Sequence, residues 1–301
     1  MKLPLYPVVL LLVPLAASGY KKDPDHGLLF NETKVELAVR NDAPYHDLES
    51  ALLVSPNDLP ERGHYSNSSM ARVELHVIQP DGGARRHRAE GFREQVFIIL
   101  EGEMEFTVDG DVLAARKHDV VFVPASAERA FVAKSPAKVL QADWWQAGEP
   151  PADAGRAFVV SEKGRVMRPT HGEGYITVTP NPRQQGQALS ITGYGGHVNA
   201  TNALLLYPLD LQGARPFTAN TRLSRMGLSA YRADGGTPWH FHPDREQCFV
   251  ILAGKALLEV GANTVEVKPG DIVFAPRHVG HGYKSIGSDA YTFMELEWGR
   301  N

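Results

Sequence analysis

The sequence predicts an all-β chain of two tandem jelly-roll β-barrels, and three observations carry that reading. The first is size, because 301 residues exceed one domain of roughly 150 and suffice for two cores. The second is self-similarity: Glu94-Gln95-Val96-Phe97-Ile98-Ile99-Leu100 recurs as Glu246-Gln247-Cys248-Phe249-Val250-Ile251-Leu252, and Asp119-Val120-Val121-Phe122-Val123-Pro124 as Asp271-Ile272-Val273-Phe274-Ala275-Pro276, both at an offset of 152. A fixed offset over many residues reports a duplicated structural unit. The third is texture, since each unit is made of short segments rich in Val, Ile, Phe and Tyr, punctuated by Gly, Pro, Asp and Asn. Many short strands in about a hundred residues suit a double-sheet roll or small barrel whose interior holds one ligand.

In chain order, residues 1–18 read as a secretory signal. Lys2 precedes the apolar stretch Val8-Val9-Leu10-Leu11-Leu12-Val13, which ends in the small residues Ala16-Ala17-Ser18, and cleavage is expected before Gly19. The run is shorter than a membrane span and carries Pro4, Pro7 and Pro14, so the mature chain is expected to be secreted or periplasmic with no membrane association. Residues 19–147 then form the first barrel domain. Within it Arg72-Val73-Glu74-Leu75-His76-Val77-Ile78 and Glu103-Met104-Glu105-Phe106-Thr107-Val108 alternate as strands with one buried face, Asp109-Gly110 supplies a hairpin turn, and Tyr45 to Val54 is the one stretch with helical character. Residues 148–196, opened by Gly148-Glu149-Pro150-Pro151, read as a linker together with the N-terminal strands of the second domain, which occupies 197–301.

Composition narrows the function. Thirty-one Lys and Arg against 35 Asp and Glu, with no block of five or six like charges, speak against a nucleic-acid partner and leave a small-molecule substrate as the expectation. The single cysteine, Cys248, excludes an intrachain disulfide and a thiolate metal cluster. Three matches to the glycosylation pattern, at Asn31, Asn67 and Asn199, carry little weight in a chain with this many asparagines.

One constellation carries chemistry. His240-Phe241-His242 puts two imidazoles on one face of a strand, Glu246 follows four residues on, and His281 lies beyond the Gly270-Asp271 turn. Three imidazoles and a carboxylate leave one or two positions open on a divalent transition metal. Cys248 shares parity with Glu246 and is expected as a wall residue of the same cavity. Tyr283 shares parity with His281, and Trp239 and Phe241 should face away from the metal into packing between sheets or subunits. Arg277, His278 and Lys284 flank the third histidine on a solvated loop, and Trp144, Trp145 and Trp298 end the two units as core or interface residues.

At these residues the sequence resembles the cupin superfamily. Its first motif is met by Gly235, His240, His242, Glu246 and Gly254, and its second by Gly270, Pro276 and His281, with His278 and Ser285 standing where a Gly and an Asn are usual. The resemblance covers both units and implies a bicupin in which His240, His242, Glu246 and His281 ligate one divalent transition metal, Fe(II) or Mn(II) first, with Zn, Ni or Cu as alternatives. In the first unit His87 aligns with His240, Glu94 with Glu246 and Arg129 with His281, so two of four ligands are gone. Arg129 is expected to replace the cation and pair with Glu94 across the interior, the unit serving as structural support or in dimerisation; the other reading is a small anion held by Arg129 and His87.

The implied function is a metal-dependent enzyme acting on a small oxygenated or carboxylate-bearing metabolite, as a dioxygenase-type oxidoreductase or a decarboxylase, with Glu246 both ligand and catalytic proton shuttle. A metal-dependent hydrolase or isomerase, and a non-catalytic barrel binding a sugar or small acid, are the competing classes, and a homodimer fits the family. Ureidoglycine aminohydrolases share a degenerate first barrel, but their ligand set has Glu and Gln where this chain has His240 and His281.

Overall fold

The computed structural model describes residues 28–31, 35, 37–55, 64–65, 71–89, 93–145, 158–160, 165–168, 172–175, 179–180, 198–206, 225–242, 245–261, 263–275 and 279–299. The signal segment and the side chains of the three glycosylation matches lie outside them. All described regular structure is β, in a 13-stranded and a 10-stranded sheet.

The duplication reappears as hydrogen bonding. In the second unit the strands Asp271–Ala275, Arg245–Ala253, Tyr291–Gly299, Arg225–His240, His281–Ile286, Lys255–Val260 and Asn263–Val267 lie side by side in that order. The first unit places Val120–Val123, Arg93–Glu101, Ala137–Trp145, Ala71–Arg88, Glu128–Ala133, Glu103–Val108 and Asp111–Arg116 in the same succession.

Burial explains the two kinds of strand. Lys255–Val260 alternates, with Ala256, Leu258 and Val260 inside and Lys255, Leu257 and Glu259 outside, as a strand with one wet face must. Arg93–Glu101 and its repeat Arg245–Ala253 are instead buried along almost their whole length, which is why both read as unbroken apolar runs. One face looks into its own barrel. The other joins a core common to both units, in which Val96, Ile98, Leu140 and Trp144 of the first meet Cys248, Val250, Met294 and Trp298 of the second. The barrel interiors are separate clusters, built on Phe97, Phe106 and Phe131 in the first and on Tyr231, Phe249, Tyr283 and Phe293 in the second. Asp109 and Gly110 turn the hairpin with φ of 48° and 91°, the pair of positive values that matches strand twist.

Two expectations change. Tyr45–Ser55 is a strand, antiparallel to Ala71–Arg88, because it covers an edge that would otherwise present unpaired backbone groups. Within 148–196, Phe158–Val160, Arg165–Arg168 and Gly172–Tyr175 extend the first sheet, with Phe158–Val160 alongside Val120–Val123, while Thr179–Pro180 pairs with Val198–Leu206 in the second. The corresponding edge strand of the second unit, Asp271–Ala275, is covered by Leu28–Asn31 from the start of the chain. Each wholly buried edge strand thus gains its last partner from outside its own repeat.

Candidate metal centre

Antiparallel pairing of Arg225–His240 with His281–Ile286 sets His240 opposite His281, and His242 follows directly beyond the strand end. The close approach is made possible by Gly236, where an added Cβ would stand 2.0 Å from the Tyr283 carbonyl oxygen. Ring centroids are 4.5 Å apart for His240 and His281, 4.9 Å for His240 and His242, and 5.5 Å for His242 and His281. One nitrogen from each ring falls within 4.8 Å of the others.

Backbone contacts decide which nitrogens. Nδ1 of His240 lies 2.9 Å from the Pro238 carbonyl and Nδ1 of His281 lies 3.1 Å from that of Val279. Donation there fixes the tautomer and turns each Nε2 lone pair toward the group. Nε2 of His281 is buried with no partner in the protein. Burial, reinforced by His240, pushes the His281 pKa down to about 3, and burial lowers that of His240. Both rings are therefore held in the neutral, ligating form. Three donors about 2.1 Å from one ion stand roughly 3–3.5 Å apart in tetrahedral or octahedral geometry, so small inward rotations of rings whose nitrogens already lie within 4.8 Å of one another close the set on a transition metal. The residues fit such an ion.

Glu246 does not join them. It lies on the opposite face of its strand, in the shared core, where the Trp298 indole N–H donates to its Oε2. Cys248 is on that face too, and burial raises its thiol pKa to about 12, so it is an apolar core residue away from the cavity. The cavity beside the histidines, about 70 Å³, is lined instead by Gln247, Phe249, Tyr283, Glu295 and Glu297. Gln247 Nε2 donates to Glu295 and, at 2.8 Å, to Glu297 Oε1, while Arg245 Nη1 donates to Glu297 Oε2 at 3.1 Å. The acid facing the histidines is Glu297, and its charge reaches both His240 and His281. Parity holds within one strand and does not carry from Arg225–His240 into Arg245–Ala253. The parity mates of Glu246, the apolar Cys248, Val250 and Leu252, were the signal that its face belongs to a core. Glu246→Gln keeps an acceptor for Trp298, so metal content per chain should stay at the wild-type level in elemental analysis; a tenfold drop would return Glu246 to the centre.

Tyr283 faces the cavity, its hydroxyl 2.7 Å from that of Tyr231. Trp239 and Phe241 point away from the histidines, 42% and 51% exposed rather than packed between sheets, with the Trp239 ring lying against Gly280. Lys284 is exposed, Trp144 and Trp298 are core residues, and Arg277, His278 and the Trp145 side chain lie outside the described residues.

The first unit repeats the frame with other chemistry. Arg129 is set opposite His87 as His281 is opposite His240, and Asp143 opposite Gln95 as Glu297 is opposite Gln247. Glu94 accepts the Trp144 indole N–H at 2.8 Å on the shared-core face, the counterpart of Glu246 with Trp298. The expected Arg129 to Glu94 pair is therefore absent, for the same reason of parity. Arg129 points inward, into the field of Asp143.

A family model described as "Cupin domain" matches the chain twice, over residues 74–142 and 227–297. The chain is a bicupin. Among curated proteins it is similar to an uncharacterized protein of Streptomyces coelicolor, 29% identical over 69 residues, 23% of this chain and 66% of that protein, so the match spans just under two thirds of that relative. Among solved structures, the bicupin is similar to a Pseudomonas aeruginosa protein named for induction by glyoxylate (TM-score 0.65, 13% identity, 96% of this chain and 94% of that one). It is also similar to the salicylate 1,2-dioxygenase of Pseudaminobacter salicylatoxidans (TM-score 0.60, 12% identity, 92% and 85%). A third likeness is to the Escherichia coli pirin in complex with nickel(II) (TM-score 0.56, 13% identity, 92% and 100%). At these identities the likeness is one of fold.

Proposed function

We propose that this bicupin is a metal-dependent enzyme of dioxygenase type, acting on a small oxygenated metabolite at the His240, His242 and His281 centre of the second barrel, and working outside the cytoplasm. One observation carries the reading: three imidazoles converge beside a cavity that is also lined by two acids, an amide and a phenol. A merely structural metal site is closed by its protein ligands, whereas this one adjoins space for another molecule. A divalent metal held there, with Fe(II) or Mn(II) the first candidates, supplies Lewis acidity and oxygen activation. The chain's own groups do the rest. Cavity size restricts the substrate to a few non-hydrogen atoms beyond those on the metal. Tyr283, braced by Tyr231, is placed to donate to a substrate oxygen, and burial raises its pKa well above the ordinary value, so it stays a donor. Glu297, oriented by Gln247 and Arg245, is the base placed to take a proton from a substrate hydroxyl.

Elemental analysis of protein purified without added metal, followed by oxygen-uptake screens over small hydroxy acids and enols, tests the reading. About one Fe or Mn per chain with substrate-dependent oxygen uptake supports it. One Zn without uptake overturns it in favour of a hydrolase or isomerase. Glu297→Gln should lower kcat by about 100-fold or more, as expected for loss of a positioned base, with metal content unchanged; an unaltered kcat would remove Glu297 from the reaction.

A further inference from the structure

The first barrel repeats the strand register of the histidine centre with other side chains. Arg129 occupies the register position of His281, on the strand pair that presents His87 where the other barrel presents His240. Its side chain is 1% exposed, Nη1 donates to the Ala127 carbonyl at 3.1 Å, Nε has no partner, and among the described residues no carboxylate stands within ion-pair distance of it. A buried guanidinium is ordinarily matched by a carboxylate, because its fork of donors suits two oxygens and an unpaired charge is costly to bury. Asp143 is the acid whose field reaches Arg129, but its Oδ1 already accepts from both Gln95 and Gln141, each at 2.9 Å. Glu74, the other buried acid of this interior, is committed to Arg72 at 2.6 Å and Arg40 at 3.4 Å. The Arg129 guanidinium is thus left without a direct acid partner among the described residues.

We propose that the first barrel binds a small monocarboxylate on the Arg129 guanidinium, between His87 and Tyr45, at the place that corresponds to the metal of the second barrel. Access is from the half-buried pair His87 and Tyr45, whose rings are 6.0 Å apart. Size is limited from within, where Phe131, 6.5 Å from Tyr45, stacks on into Phe97 and Phe106 and leaves the interior apolar. Charge selects the class. A singly charged planar acid neutralises one guanidinium and meets its fork with two oxygens, whereas a phosphate dianion would leave a negative charge buried beside Asp143. Burial already raises the Asp143 pKa, and a dianion would be disfavoured by the same desolvation.

Isothermal titration of the full chain, as purified, with sodium acetate, sodium formate and sodium phosphate tests the proposal. Wild type and His281→Ala are expected to share one acetate or formate site of equal affinity, Arg129→Gln to bind there at least about tenfold more weakly, and phosphate to give no comparable binding. Absence of carboxylate binding in wild type overturns the proposal. So does binding lost in His281→Ala but kept in Arg129→Gln, which would place the acid on the metal centre, and so does a preference for phosphate. Arg129→Lys keeps the charge without the fork and is expected to bind several-fold more weakly; should Arg129→Gln fail to fold, wild-type affinity in the lysine variant overturns the proposal.

Discussion

Replacing His281 with alanine is expected to abolish metal binding at the proposed three-histidine centre, lowering metal affinity by more than about 100-fold, since loss of an outer hydrogen-bond partner alone costs 10- to 100-fold. His281 is the buried member of the triad, its Nε2 without any protein partner and its Nδ1 held at the Val279 carbonyl. His240 and His242 remain half-buried and cannot close a site by themselves. The strand survives the change, because Tyr283 and Ser285 stay buried on either side of its pairing with Lys255–Val260 and Arg225–His240. Metal counted per chain should therefore fall to background while the thermal transition of the metal-free protein stays within a few degrees of wild type. His87→Ala, in the other barrel, should keep its metal; equal loss in both variants would overturn the assignment of one centre.

Gly236→Ala should be the most damaging single methyl in the second barrel. An added Cβ would meet the Tyr283 carbonyl oxygen at 2.0 Å and the Lys284 Cα at 3.0 Å, backbone atoms that cannot swing aside. Relief requires separating Arg225–His240 from His281–Ile286, the pairing that holds Gly236 opposite Lys284, Thr237 opposite Tyr283 and His240 opposite His281. The expected cost is about 3 kcal/mol, the upper part of the overpacking range, or on the order of 10 °C in Tm for a domain of this size. Metal should be lost with it, because the histidines move apart. Gly83→Ala makes the equivalent collision with the Phe131 carbonyl, at 2.1 Å, and should destabilise the first barrel while sparing the metal. Gly110→Ala meets nothing within 4 Å and strains only a φ of 91°, for about 1–2 kcal/mol. Calorimetry with metal analysis on the three variants separates these cases, and a Gly236→Ala protein with wild-type Tm and metal would refute the argument.

Much of the architecture was legible in the chain because its causes are local. Alternation within Lys255–Val260, the hairpin at Asp109-Gly110 and the recurrence at 152 residues each follow from a few neighbouring side chains, and the two cupin domains follow from them. His240 and His281, read from spacing and family resemblance, meet through a single strand pair. What failed in the reading depended on neighbours remote in sequence. Tyr45–Ser55 is a strand because Ala71–Arg88 offers it an edge, and Phe158–Val160 belongs to the first barrel because Val120–Val123 does the same.

The acids show the division most clearly. A Glu-Gln pair stands near the start of both Arg93–Glu101 and Arg245–Ala253, and strand alternation, legible in the chain, sends the two residues to opposite faces. Which face is inside depends on distant strands: Trp144 and Trp298, about 50 residues later in the chain, take Glu94 and Glu246 into the shared core, leaving Gln95 with Asp143 and Gln247 with Glu297 to line the barrels. Period two is a property of one strand. The choice of interior is a property of the closed sheet, fixed when the last strand pairs and the two barrels bury their apolar faces against each other.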